Sequence, residues 1–398
     1  MAVQGVAFVI LTGLEGSPLW RTVRILSVLA ISAGAELFFR RAGRLGRGAT
    51  AVALGVAGTV AGAGIGGVYV AKGGASVMTT ASLLVLVIGL CMLLWGSTVL
   101  VGALPRWWRL LAIPAGLAVL AFVLYPLSLA VNITNRPATP LGADTPADLG
   151  LAYRSVAFQT SDGVQLSAWY VSSTNGAAVV LLHGAGSNRS SVLDDAVVLA
   201  RHGYGVLLLD TRGHGLSGGD AMDAGWYGSR DIGAAVSFLE GRSDVGGGRI
   251  AAVGMSMGGE QAIAAAGADP RIRAVVSEGT TGMQAADHGW LEHYGVRGSI
   301  TKAIDWVTYG AAGVLSGAPR PMALREAITS AAPHPVLLIA AGTRADEALA
   351  GRFFQEASPS TVQMWIVPGS GHTGGLATRP AEWEARVTGF LDHALASR

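Results

Sequence analysis

Arg249-Ile250-Ala251-Ala252-Val253-Gly254-Met255-Ser256-Met257-Gly258 is the stretch on which the reading of this chain turns. A short apolar run leads into G-x-S-x-G, and residues 257–267 beyond it have helical character. Between a strand and a helix, the two glycines permit a tight turn that lifts the Ser256 hydroxyl clear of the sheet. The helix N-terminus behind it favours negative charge as it develops. In a chain with 57 glycines the pentapeptide is common by chance, so its placement is what carries meaning.

Outward from this point the pattern repeats. Runs at 153–160 and 166–171 flank the turn Ser161-Asp162-Gly163, a hairpin signal. Further apolar runs follow at 177–182, 205–209, 274–277, 335–340 and 362–367. Such runs, bounded by turns, suit strands buried on both faces. Residues 191–202 and 230–241 read as helices between them. The expected fold class is α/β, a mostly parallel sheet with helices on both faces, over 151–398.

Residues 1–131 are different. They hold nine Lys/Arg and two acids, leaving 19 basic and 24 acidic residues for the remainder. Uncharged stretches at 49–71, 77–104 and 110–131 are each long enough to cross a bilayer, which takes about 20 helical residues. A fourth candidate, 19–39, carries Arg21 and Arg24 near one end, where they can snorkel, and Glu36 near the other. Four spans are expected, or five if the short apolar run 1–14 counts; with no basic residue before it, that run is not expected to be a signal peptide. Arginine-bearing loops at 40–47 and 105–109 point to the cytoplasm, which places everything after Asn132 on the extracytoplasmic side. Residues 132–150, with Pro137, Pro140 and Pro146, read as a linker. Gly62-Ala-Gly64-Ile-Gly66-Gly67 fits a dinucleotide fingerprint by letter, but no strand precedes it. The Gly58, Gly62, Gly66 spacing fits close helix packing in a membrane better.

Composition excludes several classes. The chain is 51% hydrophobic and 14% charged, with mean hydropathy +0.46, which excludes a disordered protein. A lone cysteine, Cys91, provides neither a disulfide framework nor a cysteine-built zinc site. A net charge of +2 gives no case for nucleic acid as a partner. His288 and His293 are five apart, so they do not stack on one helical face, and Asp287 and Glu292 beside them read as solvated surface. No metal and no cofactor is expected.

Residues 153–398 resemble the α/β-hydrolase superfamily. Leu181-Leu182-His183-Gly184-Ala185-Gly186 is similar to its oxyanion loop. Asp210-Thr211-Arg212-Gly213-His214-Gly215 is similar to the next strand-end loop, and Gly369-Ser370-Gly371-His372 to the histidine loop. The resemblance implies a nucleophile, acid and base in the order Ser256, Asp346, His372. Asp346 is the preferred acid, with Glu347 beside it as the rival. The backbone N–H groups of Met257 and Ala185 are the expected oxyanion donors. His183 and His214 are expected to be structural, and Asp210 to tie down turns. Residues 280–333, too long for a simple connection, are expected to form a small helical cap bearing Trp290, Tyr294, Trp306 and Tyr309.

The expected function is a membrane-anchored serine hydrolase acting on a small-molecule carboxylester, thioester or short peptide. The alternative is a non-catalytic ligand-binding or sensor domain on the same anchor. A transporter with the hydrolase as accessory ranks last, because few intramembrane charges are present.

Overall fold

The computed structural model describes residues 18–71, 76–219, 223–316 and 318–396. Residues 1–14 lie outside them. Two compact units emerge: one of residues 1–136 with 303–316, the other of 137–302 with 317–398.

The first unit is helical. Helix α1 spans Pro18–Arg41, α2 Arg44–Ala71 and α3 Val77–Gly102. Helix α4 runs over Trp108–Thr134, with one wider π turn at Leu120–Leu124. It extends beyond the expected end at 131. Among the described residues, three helices are long and apolar enough to cross a membrane: Arg44–Val70, Val77–Gly102 and Trp108–Thr134. The charged α1 is not one of them. Helices α2 and α3 meet along glycines. A Cβ on Gly62 would lie 2.5 Å from the Leu86 nitrogen, and one on Gly55 would lie 2.5 Å from the Leu93 nitrogen. From α3, a Cβ on Gly89 would lie 2.7 Å from the Gly58 carbonyl carbon. Only hydrogen at these positions lets the backbones approach so closely.

The second unit is an eight-stranded sheet in the order β1-β2-β4-β3-β5-β6-β7-β8. The strands are β1 Arg154–Gln159, β2 Gln165–Val171, β3 Ala178–Leu182, β4 Gly205–Asp210, β5 Ile250–Met255, β6 Ile272–Glu278, β7 Val336–Ala341 and β8 Val362–Val367. The β1–β2 and β2–β4 pairs are antiparallel and the rest are parallel. Every residue of β3, β4, β5 and β7 is buried, which explains their unbroken apolar runs. Helices α5 Leu193–Arg201, α6 Gly228–Glu240 and α7 Met257–Ala268 follow β3, β4 and β5.

After β6 comes the insertion: a 3₁₀ segment Ala285–Tyr294, helix α8 Gly295–Ser316 and helix α9 Leu324–Ala331. The expected cap at 280–333 is too generous at its far end. Leu324, Ala327 and Ile328 are fully buried, and a Cβ on Gly267 of α7 would lie 2.6 Å from the Ala327 Cα, so α9 belongs to the body. Helices α10 Ala345–Gln355 and α11 Pro380–Ala394 complete the fold.

Nor does the region 137–150 hang free. The Thr139 hydroxyl donates to the Gly186 carbonyl at 2.6 Å, and Asn188 Nδ2 donates to the carbonyls of Thr139 and Pro140. Gly142 N donates to the Ser190 hydroxyl at 3.1 Å. The loop after β3 supplies both sides of these bonds: Gly186 and Ser190 accept, and Asn188 donates.

Candidate active site

At the end of β5 the backbone turns through Ser256, whose φ of 53° and ψ of −123° are rare for any residue with a Cβ. Strain of this kind costs on the order of 1–3 kcal/mol and persists only where the surroundings impose it. They do so here. A Cβ on Gly254 would lie 2.3 Å from the Gly258 carbonyl carbon, and one on Gly258 would lie 2.6 Å from the His183 carbonyl oxygen. The two motif glycines are therefore steric requirements of the bend. Ser256 N donates to the Glu278 carbonyl at 2.7 Å, and Gly259 N donates to the Ser256 carbonyl at 2.9 Å, opening α7.

The loop after β3 passes close by. A Cβ on Gly184 would stand 3.4 Å from Ser256 Cβ, so this loop abuts the serine. Met257, next to Ser256 in the chain, is buried, while Ala185 is exposed. Asp210 organises the loop: its carboxylate accepts from Arg189 N at 2.8 Å and from Leu216 N at 3.0 Å. His183 and His214 lie with ring centroids 4.7 Å apart. Burial pushes both pKa values down to about 4, with mutual repulsion adding to the effect on His214. Both are uncharged at neutral pH. Their side chains meet backbone groups, His183 Nδ1 lying 2.9 Å from the Gly184 carbonyl and His214 Nδ1 2.9 Å from that of Arg212.

His372 stands on the loop after β8. Gly279, the residue after β6, has φ of +79°, and a Cβ there would lie 2.8 Å from His372 Cε1. The end of β6 thus touches both partners: Glu278 holds the Ser256 amide, and Gly279 makes room for the His372 ring.

The acid that meets His372 is not the preferred one. His372 Nδ1 lies 2.7 Å from Glu347 Oε1, and the other oxygen of Glu347 accepts from Ala341 N at 2.8 Å. Glu347 is only 3% exposed. Asp346 is exposed and accepts from the Tyr294 hydroxyl at 2.6 Å. Both residues lie in the first turn of α10, where neighbours point about 100° apart, so only one of them faces the histidine loop. The preference for Asp346 is corrected in favour of Glu347. The Glu347 hydrogen bond is the main cause that raises the His372 pKa above the ordinary imidazole value; desolvation opposes it.

Asp287, read from the sequence as solvated surface, is instead 1% exposed and accepts from the amides of Met283, Gln284 and Leu324; two further buried acids carry no motif in the sequence. Glu260, on the first turn of α7, accepts from Gly282 N at 2.8 Å and from Thr281 N at 3.1 Å. Glu278 accepts from Gly375 N and from Trp383 Nε1. The available signal was a lone acid closing an apolar strand, Ala274-Val275-Val276-Ser277-Glu278. Of the expected cap aromatics, Trp290 donates from Nε1 to the Thr281 carbonyl, and Trp306 is 74% exposed. Among the described residues, no cluster of three or more His, Cys, Asp or Glu is placed to hold a metal ion.

Comparisons with known proteins agree with the fold. A family model described as serine aminopeptidase, S33, matches residues 173–302. The uncharacterized protein Rv2307c of Mycobacterium tuberculosis is 32% identical over 222 residues, covering 52% of this chain and 78% of that protein. The uncharacterized protein YfhR of Escherichia coli is 30% identical over 173 residues, 41% of this chain and 59% of that one. Among solved structures, an esterase of Pyrococcus furiosus superposes with a TM-score of 0.54 at 26% identity, covering 66% of this chain and 99% of its own.

Proposed function

The chain belongs to the α/β-hydrolase superfamily, and on that footing we propose that it is a membrane-anchored serine hydrolase working through an acyl-enzyme on Ser256. The observation that carries this reading is the Glu347–His372 pair at 2.7 Å, whose histidine loop meets the strained Ser256 bend across the end of β6.

In the first half-reaction His372 takes the Ser256 proton as Oγ attacks the acyl carbonyl. The oxyanion faces the N–H groups of Met257 and Ala185. Collapse breaks the bond to the leaving group, which receives the proton from the imidazolium. Water then attacks the acyl-enzyme, giving its proton to His372, and the Ser256 hydroxyl is restored as the acid product departs. Glu347 orients the ring throughout and stabilises its charged form.

A carboxylester is the first choice of substrate bond, supported by the likeness to the Pyrococcus furiosus esterase. A thioester requires the same chemistry. A short peptide is the reading favoured by the description of the matching family model. The membrane anchor is supported by the three apolar helices and by exposed Leu110, Ile113 and Leu117 on α4. The arginine loops favour an extracytoplasmic hydrolase domain. Turnover of p-nitrophenyl esters of graded chain length by the full chain tests the reading, with Ser256→Ala as control. Hydrolysis that vanishes in the variant supports it; ester binding without turnover in the native chain favours the sensor alternative.

A further inference from the structure

Glu278 closes β6 and faces two ways. Its carbonyl accepts the Ser256 amide at 2.7 Å, so its main chain is part of the nucleophile bend. Its carboxylate reaches the histidine loop: one oxygen accepts from Gly375 N at 2.7 Å, the other from Trp383 Nε1 at 2.9 Å. Gly375 lies three residues beyond His372, and a Cβ there would stand 2.9 Å from the Glu278 carboxylate and 3.1 Å from the Trp383 ring. Gly279, the next residue, packs under the His372 ring. Glu278 is 3% exposed, and an acid buried this deeply is costly unless its bonds are satisfied. The sheet has no use for a charge here, since Ala274, Val275 and Val276 of the same strand are buried apolar residues.

We propose that Glu278 is a positioning residue that holds the His372 loop in register with the Ser256 bend, a role that rests on the serine-hydrolase reading. Its charge acts on the same ring. Burial raises the Glu278 pKa; the Trp383 and Gly375 bonds lower it, nearby Glu347 raises it and His372 lowers it. The ring is also flanked by Arg344 and Glu260, and Asp195 faces Glu278 from α5. An ionised Glu278 favours the imidazolium, so Gln at this position lets His372 stay in its basic form to lower pH.

The experiment uses the full chain, a p-nitrophenyl ester and a fluorophosphonate probe, with Glu278→Gln beside the native protein. The expected result is a kcat lower by about 10-fold or more, with KM unchanged, and an acid limb displaced to lower pH; loss of alignment of about 1 Å is enough for such a fall. A folded variant with native kcat and an unmoved acid limb overturns the proposal. So does a loss of kcat accompanied only by a lower Tm, which marks a merely structural role. Should Glu278→Gln not fold, Trp383→Phe removes one of the two donors and must still cut kcat severalfold without changing KM; native kcat there overturns the proposal. If the native chain neither turns over the ester nor takes the probe, the hydrolase reading itself fails and this role goes with it. A reactive native chain with an indifferent variant sinks this role alone.

Discussion

The Glu347 carboxylate reaches His372 Nδ1 at 2.7 Å while Asp346, one residue earlier, turns away to the Tyr294 hydroxyl. Two adjacent acids thus have separate duties. Glu347→Gln is expected to lower kcat/KM by about 10²–10⁴-fold, the range seen when the partner of a catalytic imidazole loses its charge. Asp346→Asn is expected to stay within about 3-fold of native, since it only weakens an exposed hydrogen bond from Tyr294, which the amide oxygen still accepts. Steady-state kinetics on one ester separates them, and equal losses in both variants contradict the assignment. Because Glu347 raises the His372 pKa, the acid limb of the native profile lies above the ordinary imidazole value and moves down in Glu347→Gln.

Gly279 gives a steric test of how close the histidine loop lies to β6. A methyl group there meets His372 at 2.8 Å on a backbone with φ of +79°. Gly279→Ala is expected to lower kcat by about 10-fold or more through displacement of the ring. Gly248→Ala, on a backbone with φ of +72° where a Cβ meets nothing within 4 Å, is the matched control. Native activity in Gly279→Ala means that the ring does not sit where the structure puts it.

His214 links burial to acid stability. Its pKa is depressed from 6.5 to about 4 by burial first and by His183 second. A depressed folded pKa stabilises the fold above the unfolded value, and this contribution is lost as pH falls from 6.5 through 4. At one to two units below 6.5 the loss is on the order of 2 kcal/mol. His214→Gln removes it, so the drop in Tm between pH 7 and pH 5 is expected to be smaller than in the native chain. Asp195 and Asp287, raised by burial to about 7 and about 6, act in the opposite sense but equally in both proteins. An equal drop in the two contradicts a neutral buried imidazole.

The seam between α2 and α3 rests on hydrogen at Gly62. Gly62→Val is expected to destabilise the helical unit in detergent, because its Cβ meets Leu86 backbone at 2.5 Å. Gly67→Val, which points into open space on the same helix, is expected to leave Tm within about 2 °C of native. Thermal melting of both in the same detergent tests the packing; indistinguishable variants contradict it.

Much of this architecture was legible because burial on both faces leaves a strong imprint. The runs 177–182, 205–209 and 335–340 fall on β3, β4 and β7 because parallel strands covered by helices admit few polar residues. The serine was legible because the bend demands Gly254 and Gly258 at fixed offsets. The choice between Asp346 and Glu347 was not, since the entry angle of α10 decides which of two neighbours faces inward. Glu278 was hidden for a related reason: its partners, Gly375 and Trp383, lie about a hundred residues away. The grip of Thr139 on Gly186 escaped notice because proline-rich chain reads as a connection whatever it touches.

The central claim is that the Ser256 hydroxyl is a nucleophile activated by His372. Intact-mass and peptide mass spectrometry of the full chain after exposure to a fluorophosphonate probe addresses it most directly. The account predicts one adduct per chain, on the peptide containing Ser256, absent from Ser256→Ala and formed at least about 100-fold more slowly in His372→Ala. An adduct of equal extent in Ser256→Ala, or none in the native chain, contradicts it.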